Sequence, residues 1–363
     1  MNKRKGFLAG LIMIFLLVAI AGCGSPAKST AGKDSDQPGK VRTISDDLGR
    51  EVQVPEQPQR VLALNSSMTE TLFDLGVIPV GKVSEYVIPR PEAQDLPGIS
   101  FENTPNIEMI NKLAPDLIIA HAKNHASILN SLEASGAAVV CIDPSKAENQ
   151  LVGRIDLIGK TLNRQAEAAA YAQKIEEKSA QLREKLKASP IKTALFIQGG
   201  SQNILAAQSF CFWGRLLTDL GIENIVPLKV SNSSRAGFVT FDMETIIQKD
   251  PDAILILQPG FRSGTGQGQG KGQGKGQGTG AGNGSANGAG EGKSQGPADT
   301  AAAKNISPEE LLDMYQNDPM WKQLSAVKND KLIIVPGNIA PGKINVLEAL
   351  DVTAKLLAPE TFK

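Results

Sequence analysis

One phrase occurs twice in this chain, and the two copies flank a long helical segment. The first copy runs from Glu108 through Pro115-Asp116 into Leu117-Ile118-Ile119. The second runs from Glu244 through Pro251-Asp252 into Ala253-Ile254-Leu255. Each copy places Glu seven residues before Pro, and the copies lie 136 residues apart. A helix that stops at Pro-Asp and hands over to an apolar strand is a common idiom of α/β proteins. A single copy would say little. Two copies around one connector predict two similar lobes. The connector, Ala166 to Leu186, is rich in Ala, Glu, Lys and Gln, with Ala169, Ala172, Ile175, Leu182 and Leu186 on one side. It reads as one helix of about 21 residues, roughly 32 Å long, and Pro190 ends the region.

Strands and helices alternate on both sides of that connector. Arg60 to Leu64 reads as a buried strand. Ser67-x-x-Glu70 reads as a capping box that opens the helix Met68 to Leu75, with Gly76 at its end. Val80 to Val83 reads as a short strand, Asn106 to Leu113 as a helix, and Leu117 to Ala120 as a strand. Ala126 to Ser135 then reads as a helix and Ala137 to Ile142 as a strand. Leu151, Ile155, Ile158 and Leu162 recur at helical spacing up to a break at Asn163. After the connector come the strand Ala194 to Ile197, a helix from Gly214 to Leu220, the helix Met243 to Lys249 and the strand Ala253 to Leu257. Helices at Pro308 to Gln316 and Pro319 to Ala326, the strand Leu332 to Val335 and a closing helix at Asn345 to Leu357 complete the chain. Wholly apolar strands separated by helices predict a mostly parallel sheet covered on both faces.

Two segments stand outside this alternation. Lys3-Arg4-Lys5 precedes an apolar run from Phe7 to Ile20, which ends at Ile20-Ala21-Gly22-Cys23. This is a signal peptide rather than fold material. Its end has the form of a bacterial lipobox, in which small residues admit a signal peptidase and the Cys23 thiol accepts a diacylglycerol. The Ser-, Pro-, Gly- and Lys-rich stretch that follows reads as a tether. From Ser263 to Gly296 glycine recurs at nearly every second position, taking 15 of the 36 glycines. Such a composition buries no apolar surface, so it predicts a disordered surface insert within a folded domain.

The order of phrases resembles the substrate-binding proteins of ABC importers for iron-siderophores, haem or cobalamin. Its carriers are Asp47-Leu48-Gly49-Arg50-Glu51-Val52 with Pro55, Arg60-Val61 leading to Thr69-Glu70-Thr71-Leu72, and Asn106-Ile107-Glu108 to Asp116. Beyond these come the long helix, Leu220-Gly221 with Asn224, Glu244 to Asp252, and Trp321 with Ala326-Val327-Lys328. The resemblance runs from Arg42 to Lys363 apart from the glycine insert. It implies an α/β fold of two Rossmann-like lobes joined by one rigid backbone helix, with the ligand in a cleft between them and little closing motion. The divisions are then a signal peptide (1–22), a lipidated tether (23–41), an N-lobe (42–163), the interlobe helix (164–189) and a C-lobe (190–363) carrying the insert (263–297). The resemblance further implies that one exposed Glu per lobe, by motif Glu108 and Glu244, docks into Arg-lined sockets of a permease dimer. The plain alternative is that both are solvated carboxylates favoured by a helix N-terminus.

Ligands of parallel α/β sheets lie beyond the carboxyl ends of the strands. Candidate cleft residues in the N-lobe are therefore Asn65, Ser66 and Ser67, then Tyr86 and Arg90, then His121, Lys123, Asn124 and His125. In the C-lobe they are Gln198 and Ser201, Phe210, Phe212 and Trp213, Arg235, and Phe261 with Arg262. Arg and Lys suit a ferric siderophore bearing carboxylate or catecholate charge, whereas Trp and Phe suit an apolar or macrocyclic face. His121 and His125 are the only histidines, too few ligands for a bare metal ion. Cys141 reads as a buried free thiol.

Lys and Arg number 38, as do Asp and Glu, and aromatics are 4%. Neither a basic binding face nor a base-stacking platform follows, so no nucleic-acid partner is expected. No catalytic motif stands out. The expectation is a monomeric lipid-anchored binding protein on the outer face of the cytoplasmic membrane. It is not an enzyme, holds no cofactor, and carries an iron chelate to an ABC importer permease dimer. Cobalamin or haem as ligand, and an exported enzyme or adhesin on the same fold, are the alternatives.

Overall fold

The computed structural model describes residues 40–144, 146, 150–201, 203–226, 233–235, 237–257 and 307–363. Cys23, the glycine insert, Phe261 and Arg262 lie outside the described residues, and of Arg235 only the backbone course is described. The described residues open with an antiparallel hairpin, β1 (Val41–Ser45) and β2 (Glu51–Pro55). Its turn carries Asp46, buried although charged. One carboxylate oxygen accepts the Leu48 and Arg50 amides, and the other accepts the Cys141 amide and the Arg50 guanidinium. Arg50 also donates to Glu133 and to the Val139 carbonyl. The Asp47-to-Val52 phrase is thus part of a clamp that fastens the hairpin to the N-lobe.

In the N-lobe, β3 (Val61–Ala63) leads into α1 (Ser66–Asp74). A small hairpin follows, β4 (Ser100–Phe101) and β5 (Thr104–Pro105). Then come α2 (Ile107–Leu113), β6 (Leu117–His121), α3 (Leu129–Glu133) and β7 (Ala138–Ile142). Strands β3, β6 and β7 form a parallel sheet in that order. Helices α4 (Gln150–Leu162) and α5 (Gln165–Leu186) follow, separated at Asn163, whose φ of 58° breaks the helix.

The C-lobe begins with β8 (Thr193–Gly200) and β9 (Asn203–Ala207), then α6 (Phe212–Asp219), β10 (Glu223–Asn224), β11 (Ser233–Arg235) and β12 (Phe238–Thr240). Next are α7 (Met243–Lys249), β13 (Ala253–Leu257), α8 (Pro308–Gln316), α9 (Ser325–Lys328), β14 (Leu332–Val335) and α10 (Val346–Leu357). The sheet order is β11-β12-β9-β8-β13-β14, with β10 beside the start of β8. Pairings of β8, β13, β14 and β10 are parallel, but β8 folds straight back into β9, so the β9, β12 and β11 pairings are antiparallel. The parallel sheet expected from the alternation therefore holds for the N-lobe and only half of the C-lobe.

Side-chain alternation explains the apolar strands. Leu117 and Ile119, Ala194 and Phe196, and Ala253 and Leu255 all join one cluster that includes Ile175 and Leu182 of the long helix. The intervening Ile118 and Ala120 face a second cluster in the N-lobe, and Leu195, Ile197, Ile254 and Ile256 a third in the C-lobe. A strand apolar on both faces is one covered on both faces. The buried face of α5 is Ala168, Tyr171, Ile175, Ser179, Leu182 and Leu186. Ala169 is exposed, one position off the expected stripe, because Tyr171 takes the core position.

The repeated phrase is one device built twice. Asn106 and Asp242 cap α2 and α7, Ile110 and Ile246 are fully buried, and Ala114 and Asp250 close the helices with φ of 43° and 41°. Asp116 then accepts the amides of Gln59 and Arg60 just before β3, at 2.7 and 3.0 Å. Asp252 accepts those of Lys192 and Thr193 at the start of β8, at 2.8 and 2.9 Å. Each Pro-Asp thus ties the entry of its lobe's first strand.

Three local expectations differ. The α1 cap is Asn65, which accepts the Ser67 and Met68 amides, while Glu70 turns away to Tyr86 and Arg90, so no Ser67–Glu70 box forms. Val80–Val83 makes only an isolated bridge, Lys82 to Gly98. The stretch after Pro319 is a 3-10 turn at Trp321–Gln323 followed by α9.

Candidate functional site

One contact between the lobes joins the β14–α10 loop to the start of α1 and to the segment between α1 and β4. Gly342, in the β14–α10 loop, accepts the Val87 amide at 2.7 Å. A Cβ on Gly342 would lie 2.6 Å from both the Glu85 carbonyl oxygen and the Ser66 Cβ. The carboxyl ends of strands in both lobes are thereby brought together, the position where α/β folds bind ligands.

Glu102, between β4 and β5, organises the N-lobe side. Its carboxylate accepts the Ser66 amide at 2.6 Å and the Asn65 side-chain amide at 2.9 Å. Its own amide donates to the Glu85 carboxylate at 3.1 Å. Its carbonyl meets His125 Nε2 at 2.7 Å. Because His125 Nδ1 accepts the His121 amide at 2.9 Å, the His125 proton sits on Nε2 and donates to that carbonyl. Both ring nitrogens of His125 are therefore engaged by backbone, which removes it as a metal ligand. Burial raises the Glu102 carboxyl above its ordinary range. Burial and then the Glu102 charge do the same to Glu85. His121 Nδ1 accepts the amides of Lys123 and Asn124, and burial above all, with His125 adding, pushes its pKa down to about 4. It is neutral at physiological pH. Asn124 donates to the Asn103 side chain at 3.1 Å, and Lys123 pairs with Asp143 at 3.5 Å.

Tyr86 and Arg90 belong to a different network. The buried Tyr86 hydroxyl donates to Glu70 at 2.6 Å, and its ring stacks on Phe73. Arg90 bridges Glu70 and Asp74 and lies over the same Phe73 ring. Burial opposes the Arg90 charge, but the two carboxylates outweigh it and raise its pKa. Tyr171 of α5 adjoins Asp74, whose carboxyl burial raises. These residues brace α1 against the long helix.

In the C-lobe, Gln198 is half-buried in β8. The Ser201 carbonyl accepts the Trp321 indole N–H at 3.2 Å. Phe210 and Phe212 are half-buried, whereas Trp213 is 5% exposed and packs against Phe196 and Phe212. Arg154 of α4, absent from the sequence-based candidates, stands at the junction. Burial lowers its pKa to about 10, with Arg215 adding and Cys211 opposing, and its charge also reaches His121. One signal was available: Arg154 falls between Leu151 and Ile155 on the apolar side of its helix. For Glu102 no signal existed.

Among the described residues no group of three or more His, Cys, Asp or Glu could hold a metal ion. A groove of about 450 Å³ opens between α4, α5 and α6, lined by Ile175, Ser179, Arg183, Arg215 and Asp219 among others. None of the strand-end residues lines it. On the surface, Glu108 and Glu244 occupy the same second position of their helices, and both are exposed.

Two α/β lobes that meet at their strand ends, with polar loops at the junction, form a solute-binding architecture. The profile of the periplasmic binding protein family matches residues 61–277. YhfQ of Bacillus subtilis, which carries the name of an ABC transporter substrate-binding lipoprotein, is 26% identical over 264 residues, covering 70% of this chain and 80% of that one. YfiY of the same organism, named as a siderophore-binding lipoprotein, is 25% identical over 261 residues, covering 67% and 77%. Other relatives are named for Fe(3+)-citrate and vitamin B12 binding. The solved structure of Staphylococcus aureus SirA complexed with staphyloferrin B has the same fold, with a TM-score of 0.60 and 21% identity over 88% of this chain and 98% of that one. The chain belongs to the periplasmic binding protein family.

Proposed function

We propose that this protein captures a ferric siderophore outside the cytoplasm and delivers it to an ABC importer of the cytoplasmic membrane. In this reading it is held there as a monomer by acyl chains on Cys23 and performs no chemistry on its cargo. The observation that carries the delivery half is the Glu108/Glu244 pair. The device around each is duplicated in detail, yet Asn106 and Asp242 already cap the helices and Asp116 and Asp252 already tie the strands. The two glutamates are the exposed members of the repeat left over from that structural work. A carboxylate can take an arginine in bidentate fashion, which gives orientation as well as attraction. The names of YfiY and SirA support a siderophore cargo, and the relatives named for vitamin B12 keep cobalamin as the second reading.

The test is iron-55 siderophore uptake by cells carrying Glu108→Lys, Glu244→Lys or both, beside ligand titration of the purified variants. Reversed charges oppose a basic socket and cost more than truncation. Ligand affinity should be unchanged while uptake falls, most in the double variant. Normal uptake by the double variant would reject the docking role.

A further inference from the structure

We infer that the groove between α4, α5 and α6 is a second ligand site, separate from the cleft, and that it takes a small monocarboxylate with an apolar body. The carboxylate is received by Ser179, Arg183 and Arg215, and the body lies along Val152, Ile175 and Ala180. The inference does not depend on the siderophore reading.

Two buried polar atoms in the wall of this groove have no hydrogen-bond partner among the described residues. They are Ser179 Oγ and Arg215 Nε. Ser179 is only 3% exposed. A hydroxyl in a helix interior commonly turns back to the carbonyl four residues earlier. Thr71, Thr161 and Thr218 do so in this chain, at 3.0, 2.7 and 3.2 Å. Ser179 does not. A buried polar atom left unpaired is costly, most of all on a charged group. The Arg215 Nε–H can only donate, and the Ser179 hydroxyl can donate too, so an acceptor answers both.

Charge makes that acceptor an anion. Arg215 meets Asp219 at 2.6 Å, and Arg183 donates to the Asp219 carbonyl at 3.2 Å. The charge of Arg154 on α4 also reaches Arg215. Two guanidinium groups in the wall, with a third in range, thus share this end with the single carboxylate of Asp219. A ligand carboxylate accepts from a guanidinium and a hydroxyl together. The other end differs. Glu176 and Glu177 are exposed there, and Glu177 accepts the Gln173 amide at 2.7 Å. Glu176 lies seven residues before Arg183, about 10 Å along the helix. A second negative charge on the ligand would meet these glutamates, which restricts it to one.

Between the charged ends the wall is apolar. Ile175, Ser179 and Arg183 follow at four-residue spacing and so share one face of α5. A body running from the carboxylate toward Ile175 also meets Ala180 and Val152. The volume of about 450 Å³ falls within the roughly 300–1,000 Å³ of small-ligand pockets. Because α4 follows β7 of the N-lobe and α6 follows β9 of the C-lobe, the ligand touches elements of both lobes and the helix that joins them.

The experiment is calorimetric titration of the purified chain with octanoate, octanamide, acetate and inorganic phosphate. Octanoate should bind at least tenfold more tightly than octanamide, which keeps the body without the charge. It should exceed acetate and phosphate, which lack the body, by the same margin. Ser179→Ala removes the unpaired hydroxyl, so it should melt at or above the native temperature yet bind octanoate several-fold more weakly. Ala180→Phe places a ring in the groove from an exposed position and should abolish octanoate binding at the native melting temperature. Silence from octanoate, equal binding of octanamide, or native octanoate affinity in either variant overturns the inference and leaves the siderophore reading untouched.

Discussion

Replacing Gly342 by Ala perturbs one contact between the two lobes, beside the core cluster that both share. Gly342 has φ of +78°, where a residue bearing Cβ is disfavoured by about 1–2 kcal/mol. The added Cβ would also stand 2.6 Å from the Glu85 carbonyl oxygen and from the Ser66 Cβ, and neither is the free end of a flexible side chain. Overpacking of this kind costs about 1–3 kcal/mol. The lobes can relieve it by parting, which sacrifices the Val87-to-Gly342 hydrogen bond, worth about 1 kcal/mol. The expected loss is thus about 2–5 kcal/mol of stability, with a widened cleft and weaker ligand binding. Gly76→Ala is the internal control, because Gly76 has φ of +73° but a Cβ added there would meet nothing within 4 Å. Urea denaturation of both variants separates strain from overlap, and ligand titration reads the cleft. Equal destabilisation by the two substitutions, with native affinity in Gly342→Ala, would refute the claim that this glycine sets the lobe contact.

Two further outcomes follow from the geometry. Asp116→Ala and Asp252→Ala each leave two strand-entry amides without their carboxylate. Each should cost about 1–3 kcal/mol in chemical denaturation, and the double variant should be additive because the sites lie in different lobes; strong non-additivity would contradict the duplicated-device account. His121 gives a pH signature. Its folded pKa of about 4 lies below the ordinary 6.5, so the folded state favours the neutral ring. Its contribution is fully present above pH 6.5 and is lost as pH falls through 4, a span of about 3 kcal/mol. Glu85 and Glu102, whose pKa values are raised, act in the opposite sense over the acid range. The His121 part is therefore read as the difference between the native chain and His121→Gln, and identical pH–stability curves for the two would remove it.

Much of the architecture was legible because the strands carry its signature themselves. Leu117 to Ala120 and Ala253 to Leu257 are apolar on both faces, which only a doubly covered sheet satisfies, and the Pro-Asp phrases marked where each begins. The β8–β9 turnback was not legible, since Asn203–Ala207 is a short neutral run beside glycines whose pairing is a tertiary choice. The Ser67–Glu70 pair had the right letters for a capping box, yet Asn65 already accepts the Ser67 amide that Glu70 would have taken, and Glu70 gains a buried tyrosine and an arginine instead. The site was hardest to read. Tyr86, Arg90 and Trp213 have ligand-binding chemistry, but the same chemistry satisfies internal carboxylates and an aromatic core. Glu102 acts through a loop whose position depends on His125, 23 residues away, and sequence alone does not encode that contact.

The central claim is that the interlobe cleft holds an iron chelate which leaves unchanged. Native mass spectrometry of the chain isolated from iron-starved producing cells addresses it directly. The account predicts a bound mass carrying iron(III), released intact on denaturation, with the same mass recovered after prolonged incubation with the protein. Recovery of cobalamin or haem in its place, or of a ligand chemically altered by the protein, would contradict it.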